Sequence, residues 1–257
     1  MHPILFKFFG IEIHTYGFFV ALGFMTALFV SQKLAEKEGL SKNLVVDYAF
    51  YMLIFAIIGA RFFYVIIEYK FYIKHPFEIL KIWEGGLVYY GGFIFAVLSL
   101  FIYHYTKNRN TPILKITDIF ATALPLGQAI GRLGCLSAGC CYGKPCNLPW
   151  AIKFTNPESL APLNVYLHPT ELYHAISDFL IFIILIFIFK KKKEFNGETT
   201  CLYGILYSVG RFIVEIFRGD PRGHIGIFST SQFISIIVFA ISFFFYFFLK
   251  KSNRNYY

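Results

Sequence analysis

Charged residues are scarce in this chain. Lys, Arg, Asp and Glu make up only 15% of its 257 residues, whereas a soluble domain carries about 25%. Hydrophobic residues make up 57%, with 33 Phe and 18 Tyr. This excess of apolar surface excludes an ordinary soluble domain with one buried core.

Apolar stretches close to the ~20 residues that cross a hydrocarbon layer recur along the chain. They lie at residues 16–34, 45–69, 87–105, 113–130, 169–189, 201–217 and 231–249. The sequence therefore predicts an all-α, multi-pass integral membrane protein with about seven transmembrane helices.

Several other features are missing. Residues 1–14 lack the basic region, apolar region and small-residue cleavage site of a signal peptide, so we expect the first helix to be retained. No internal repeat, heptad pattern or low-complexity linker is visible. We therefore expect one polytopic domain over residues 1–257, with an outer-side loop at about 131–168.

The basic residues are divided unevenly between the two sides of the predicted membrane. The formal charge of +9 could suit nucleic acid, but Lys and Arg lie in short loops between spans, so no nucleic-acid partner is expected. Thirteen of them fall on the side that holds the lysines at 190–193, and nine on the other. Cytoplasmic loops carry the excess. We expect a protein of the bacterial cytoplasmic (inner) membrane whose amino terminus lies outside and whose carboxyl terminus lies inside. The lysine run should contact anionic membrane lipids.

Charges at membrane depth are costly, and the sixth predicted span carries several. Tyr207, Arg211, Glu215 and Arg218 are spaced 4, 4 and 3 residues apart, which places them on one helical face. An Arg211–Glu215 pair that merely neutralises itself is one interpretation. Four polar groups on one stripe favour the other, a lined cavity.

Glycine-rich segments stand at two further positions. The pairs Gly85-Gly86 and Gly91-Gly92 open the third span, where they serve either close helix packing or a cavity-lining backbone. Between the fourth and fifth spans, Arg132 lies among glycines that include Gly134. An arginine in such a setting suits an anion held by guanidinium and backbone amides together.

Four of the five cysteines cluster after Arg132, at Cys135, Cys140, Cys141 and Cys146. Their spacing fits badly the C-x2–4-C pattern of zinc sites, and we expect no metal. An outer-side loop faces an oxidising compartment, so we expect at least one disulfide among the four. A catalytic thiol and a metal site are the alternatives.

The order of motifs along the chain is also informative. The motifs are Tyr16-Gly17; Gly59-Ala60-Arg61 with Tyr64; Gly85-Gly86 followed by Gly91-Gly92; Asp118 with Pro125 and Gly127; Gly131-Arg132-x-Gly134; His168-Pro169-x-x-Leu172-Tyr173; Tyr207, Arg211, Glu215 and Arg218; and Gln232. In this set the chain resembles the prolipoprotein diacylglyceryl transferase family. The family's plan has seven spans, an outer amino terminus and a site facing the outer leaflet, as the charge distribution predicts independently.

The resemblance implies an enzyme that moves the diacylglyceryl group of phosphatidylglycerol onto the thiol of a lipobox cysteine in a lipoprotein precursor, without a cofactor. The family's catalytic arginines correspond to Arg132 and Arg211. We expect further substrate-binding residues at Tyr16, Arg61, Gly91, Gly92, Gly134, His168, Tyr207 and Arg218.

The chain departs from the family's pattern at the site. Tyr90 stands where the family has His, and Cys135 and Cys140 replace polar residues of its signature. The departing phosphate needs cations, for which bidentate arginine is well shaped. A thiol of pKa ~8.5 must also be activated. We expect Tyr90 to donate a hydrogen bond and the arginines or Glu215 to assist the thiol.

Three other functions stay open at this point. The chain could be a divergent paralogue with another acceptor, a membrane transporter, or a thiol or metal sensor that uses the cysteine loop. Transporters often show two related halves, and none is visible here. A sensor would leave Arg211 without a role. An assay for transfer of labelled diacylglyceryl groups distinguishes the enzyme from the transporter and from the sensor.

Overall fold

The computed structural model describes residues 2–8, 11–82, 85–221 and 223–254. Eight helices run through these residues: α1 Thr15–Lys37, α2 Lys42–Ile67, α3 Tyr69–Lys74, α4 Tyr89–Lys107, α5 Ile113–Ala138, α6 Thr170–Lys191, α7 Glu198–Phe217 and α8 Thr230–Arg254. A 3-10 turn at Pro76–Leu80 follows α3.

Three short antiparallel hairpins lie outside the helices. They pair β1 Ile4–Phe8 with β2 Ile11–His14, β3 Ile152–Lys153 with β4 Tyr166–Leu167, and β5 His224–Ile225 with β6 Phe228–Ser229. Each hairpin directly precedes a long helix along the chain: α1, α6 and α8 respectively.

Six helices of the described residues are long and apolar enough to cross a membrane: α1, α2, α5, α6, α7 and α8. This confirms the prediction of an all-α integral membrane protein. The third predicted span corresponds to α4, which is helical over 19 residues but is not among the six. The orientation of the two termini stays a prediction.

The chain folds into two compact units, Met1–Ser31 with Leu114–Tyr257 and Gln32–Ile113. We call them the large and the small unit. The single polytopic domain expected from the sequence stays a prediction.

Close packing of α2 against α4 organises the small unit. A Cβ at Gly91 would collide with the Gly59 carbonyl oxygen and lie 2.8 Å from Phe63, and a Cβ at Gly59 would lie 2.5 Å from the Gly91 carbonyl oxygen. Side chains at either position would force the helices apart. These glycines therefore serve helix contact, one of the two roles that the sequence left open.

In the large unit, a buried carboxylate fixes the start of α7. Asp118 of α5 is fully buried and accepts hydrogen bonds from the Gly197 amide at 2.7 Å and the Thr200 amide at 2.9 Å. The Lys193 ammonium lies 3.2 Å from the same carboxylate. An anion at a helix amino terminus is stabilised by free amides and by the helix dipole. Asp118 thereby sets α7 beside α5.

The structure extends α5 beyond the predicted span. The apolar run ends at residue 130, but the helix continues to Ala138. Arg132 and Cys135 therefore lie on a helix, not in the outer-side loop that was predicted to begin at 131. Hydropathy marks where a segment becomes less apolar, whereas a helix ends where a cap satisfies its last carbonyls.

Candidate active site

The charged stripe on α7 forms as its periodicity predicted. Arg211 Nη2 lies 3.0 Å from Glu215 Oε2, so the intrahelical ion pair is present. The same nitrogen donates to Ser231 Oγ at 2.9 Å, and Ser229 Oγ donates to Glu215 Oε1 at 3.0 Å. The pair is therefore part of a network that joins α7 to the start of α8, and it is not self-contained.

Arg218 caps this stripe just beyond the helix. Its Nε and Nη2 donate to the two carboxylate oxygens of Asp220, both at 2.8 Å, in a bidentate pair. Its Nη1 is buried and has no hydrogen-bond partner among the described residues. One charged donor of Arg218 is thus left without an acceptor in the part of the chain that the structure describes.

A second polar stripe lies on α6, and sequence reasoning missed it. Glu171, His174 and Asp178 are buried side chains spaced 3 and 4 residues apart. Arg211 Nη1 and His174 Nε2 are 2.7 Å apart, so His174 Nε2 accepts this bond and carries no proton there. The spacing rule that identified the α7 stripe also fits these positions in a span. It was not applied to them.

The α6 stripe faces the arginines. Glu171 interacts electrostatically with Arg218 and Arg132, and Asp178 with Arg132 and Arg211. Both carboxylate oxygens of Glu171 are buried and make no hydrogen bond within the described part of the chain. Unsatisfied buried groups are rare in proteins and call for a ligand, water or a chemical role. Glu171 is therefore a candidate for contact with substrate.

Arg132 lies on α5, almost two helical turns before its carboxyl-terminal end at Ala138. Its Nη1 is 4.0 Å from the Cys141 sulfur, a weak contact. It also interacts electrostatically with Tyr207, which stacks on Tyr203 with ring centroids 5.5 Å apart. Arg132, Arg211 and Arg218 all act on His174. The two arginines predicted to be catalytic are thus brought into one site, together with Tyr207 and Arg218.

The end of α5 is a Schellman cap. Gly139 has φ 71°, its amide donates to the Leu136 carbonyl at 3.3 Å, and the Cys140 amide donates to the Cys135 carbonyl at 3.1 Å. A Cβ at Gly139 would overlap Ser159 Oγ, so only glycine fits. The cap folds the chain back and returns Cys140 to the level of Cys135.

The cap collects three thiols at one point. The sulfur atoms of Cys135, Cys140 and Cys141 all lie within 4.8 Å of one another. The Cys140 thiol donates to the Cys135 carbonyl oxygen at 3.7 Å. The neighbouring thiols of Cys135 and Cys140, together with the charge of Arg218, lower the pKa of the Cys141 thiol. All five cysteines of the chain are free thiols in this structure. The disulfide expected among Cys135, Cys140, Cys141 and Cys146 stays a prediction.

Tyr16 and Gly134 border this cluster. A Cβ at Gly134 would lie 3.2 Å from the Tyr16 Cα, so α5 approaches α1 closely here. Tyr16 interacts electrostatically with Cys140 and Arg132. A groove of about 620 Å³ opens beside them, lined by Pro3, Ile4, Glu12, His14, Tyr16, Gly17, Ala138, Cys140, Glu158 and Leu160. Cys140 is the thiol that this groove exposes.

His168 lies in the segment that leads into α6. Its Nδ1 is 3.2 Å from the Tyr173 hydroxyl, which accepts a hydrogen bond from Trp150 at 2.8 Å. Its ring centroid is 5.2 Å from that of Phe217 at the end of α7. Next to it, Thr170 Oγ1 donates to the Cys141 carbonyl at 2.7 Å. This segment ties the cysteine loop to α6 and α7, and a substrate-binding role of His168 stays a prediction.

Four predicted site residues belong to the small unit: Arg61, Tyr90, Gly91 and Gly92. The Tyr90 side chain is 48% exposed, and the glycines are buried against α2. Arg61 is buried, and its guanidinium donates to five backbone carbonyls, those of Glu78, Ile79, Lys81, Gly85 and Gly86. Substrate binding by these four residues stays a prediction.

Comparison with known proteins gives independent evidence on the family to which the chain belongs. A model of the family described as prolipoprotein diacylglyceryl transferase matches residues 3–248. The chain is similar to proteins named phosphatidylglycerol–prolipoprotein diacylglyceryl transferase from several bacteria. The relative from Clostridium tetani is 42% identical over 95% of this chain and 96% of its own length. Those from Finegoldia magna and Thermotoga maritima are 43% and 38% identical, over 93% and 97% of this chain and 92% and 85% of their own lengths.

Proposed function

The chain belongs to the prolipoprotein diacylglyceryl transferase family, and from this premise we propose how its residues perform the reaction. It is a transferase that moves the diacylglyceryl group of phosphatidylglycerol to a cysteine thiol of a prolipoprotein. The observation that carries the assignment of residues is the contact of Arg211 with the buried stripe of α6, where its Nη1 lies 2.7 Å from His174 Nε2. Arg132 and Arg218 act electrostatically on the same histidine.

The three arginines differ in the donors that they leave for a ligand. Arg211 is oriented by His174, Ser231 and Glu215, and Arg218 by Asp220. Arg132 makes only a weak contact with sulfur among the contacts described for it. Arg132 is therefore the principal ligand of the lipid phosphate, with Arg211 as a pre-oriented second cation. Together they stabilise the charge that develops on the departing glycerol phosphate.

The acceptor thiol must lose its proton, so the site must contain a group that accepts it. Glu215, the residue expected to help, already accepts from Ser229 and pairs with Arg211. Glu171 is buried, and neither of its carboxylate oxygens makes a hydrogen bond to a described residue. It interacts electrostatically with Cys141 and Arg132. We therefore assign proton acceptance to Glu171, with Tyr90 as a hydrogen-bond donor.

Activity is tested with the purified full chain in phosphatidylglycerol vesicles and a peptide with a lipobox cysteine. The expected product is a thioether between the peptide cysteine and diacylglycerol, identified by mass spectrometry. Arg211→Lys should lose turnover because an ammonium cannot form the planar fork. Arg109→Lys, at an exposed loop position, is the matched control. Full turnover by Arg211→Lys would refute the role of Arg211, and no product with the unmutated protein would favour a paralogue with another acceptor.

Orientation follows from the same proposal. The amino terminus and the cysteine loop lie outside the cytoplasmic membrane, and the lysines at 190–193 lie inside, because basic residues concentrate on that side. Alkaline phosphatase fused after Lys193 should be inactive, and fused within the loop near Cys146 it should be active. The reverse pattern would overturn the orientation.

A further inference from the structure

The three clustered thiols have no assigned role in the reaction above. A thiol becomes a strong nucleophile only as a thiolate, and Tyr90 occupies the position of the family's basic residue. An acceptor cysteine therefore needs another means of losing its proton. The following inference deepens the proposed transferase function and rests on it.

The sulfur geometry is close to that of a metal site. A zinc ion binds thiolates at about 2.3 Å, which places tetrahedral ligands roughly 3.8 Å apart. The sulfurs of Cys135, Cys140 and Cys141 lie within 4.8 Å of one another, so inward rotation of the side chains closes the gap. The Schellman cap that ends α5 holds the backbone of this arrangement.

The surrounding charges also suit such a site. Three thiolates and one divalent ion carry a net charge of −1. Arg132 Nη1 lies 4.0 Å from the Cys141 sulfur, and Arg218 interacts electrostatically with the same thiol. A cationic surrounding offsets the cost of burying an anionic metal–thiolate group.

We propose that Cys135, Cys140 and Cys141 bind one thiophilic divalent ion of the zinc class, and that its fourth coordination position receives the cysteine thiol of the lipoprotein precursor. Soft thiolate ligands select such ions, and catalytic zinc sites keep one position open. The groove of about 620 Å³ that reaches Cys140 is the route to that position. This departs from two expectations drawn from the sequence: that the chain binds no metal, and that at least one disulfide forms among the four clustered cysteines. Any such disulfide would include Cys135, Cys140 or Cys141 and would remove a ligand.

Coordination deprotonates the incoming thiol outright, and its proton passes to the Glu171 carboxylate. The metal-bound sulfur then attacks the lipid carbon that carries the phosphoester. The new carbon–sulfur bond forms as the carbon–oxygen bond breaks, and the electron pair leaves with glycerol phosphate between Arg132 and Arg211. The thioether product carries no negative charge on sulfur, so it binds the ion weakly and dissociates.

The test uses the full chain in detergent, with reduced thiols and one equivalent of Co²⁺ as a spectroscopic probe. The expected result is a thiolate-to-cobalt charge-transfer band that is lost in Cys140→Ser and Cys141→Ser. It should persist in Cys146→Ser, in the same loop, and in Cys201→Ser, on α7. A lipobox peptide should raise the band by roughly one third, since a fourth thiolate joins three, and a peptide with serine in place of cysteine should not.

Several results would overturn the proposal. The site would be excluded if the cobalt band is absent, if it survives loss of Cys140, or if its intensity does not change when the peptide thiol is added. A disulfide in active protein that includes Cys135, Cys140 or Cys141 would exclude it as well. Full transfer by metal-free protein would overturn the metal's role and leave the transferase intact. A peptide-responsive cobalt band in a protein that transfers nothing would support thiol coordination and overturn the transferase assignment instead.

Discussion

Arg61 in the small unit and Arg132 in the large unit look alike in the sequence. Each lies beside a small residue and belongs to a glycine-containing motif, Arg61 within a predicted span and Arg132 just after one. Their surroundings differ. Arg61 donates to five backbone carbonyls and lies 5.4 Å from the Tyr72 ring centroid. Arg132 contacts one sulfur at 4.0 Å.

This difference separates a structural arginine from a functional one. The Arg61 guanidinium donates its hydrogen bonds to the backbone of one segment, which contains the 3-10 turn Pro76–Leu80 and the glycines at 85 and 86. It positions that segment and has little capacity left for an anion. Arg132 keeps its donors available, and it interacts electrostatically with Asp178 of α6 and Tyr207 of α7. Substitutions at the two positions should therefore damage different properties.

Replacing Arg132 by Lys should have the largest effect on catalysis. Loss of the planar fork at the departing phosphate is expected to lower turnover about 10²- to 10³-fold, the value of one oriented donor to a developing oxyanion. The thermal unfolding midpoint should change little, because Arg132 makes few contacts to lose. Transfer of labelled diacylglyceryl groups and thermal unfolding in detergent measure the two properties. Turnover equal to that of Arg109→Lys would exclude the assigned role.

Glu171→Gln tests a buried carboxylate of the site that makes no hydrogen bond to the described residues. The amide keeps the size of the side chain but cannot accept the thiol proton, so we expect turnover to fall about 10²-fold. Single-turnover transfer to a lipobox peptide measures this step. Glu68→Gln, at an exposed position after α2, is the matched control. A variant as active as that control would move proton acceptance elsewhere.

Arg61→Lys should reduce stability more than catalysis. An ammonium has three donors and cannot reach five carbonyls, so unpaired carbonyls are expected to cost about 1.5–3 kcal/mol of unfolding free energy. We expect a lower thermal unfolding midpoint and near-normal turnover per folded molecule at low temperature. A stable protein with strongly reduced turnover would instead place Arg61 on the substrate, and the comparison of the two arginines would fail.

Tyr90→Phe should have the smallest effect. Tyr90 is half-exposed on α4, and loss of one hydrogen bond to substrate corresponds to about 0.5–1.5 kcal/mol, or roughly a two- to tenfold lower turnover. Labelled transfer by correctly inserted protein checks this. Complete loss of activity would make the phenol itself the acid or base.

Much of the architecture was predictable from composition and periodicity. A run of about 20 apolar residues is a local property, so the helices α1, α2, α5, α6, α7 and α8 appear where hydropathy placed spans. The spacing of Arg211, Glu215 and Arg218 likewise fixed their common face, because helical periodicity is local. The same rule applies to Glu171, His174 and Asp178 but was not used there.

The roles of the charged and sulfur-containing residues depend on tertiary structure. The fold decides whether an arginine can bind a substrate, because it determines how many backbone carbonyls accept hydrogen bonds from the guanidinium. The carbonyls that accept from Arg61 lie 17 to 25 residues away in the sequence. The meeting of three thiols depends on the cap at Gly139, which turns the chain back at the end of α5. Spans follow from the solvation of each segment by lipid, whereas the site follows from which segments pack together. The sequence by itself therefore determined the spans and the α7 face, and only the packed structure decided which polar groups remain available to a substrate.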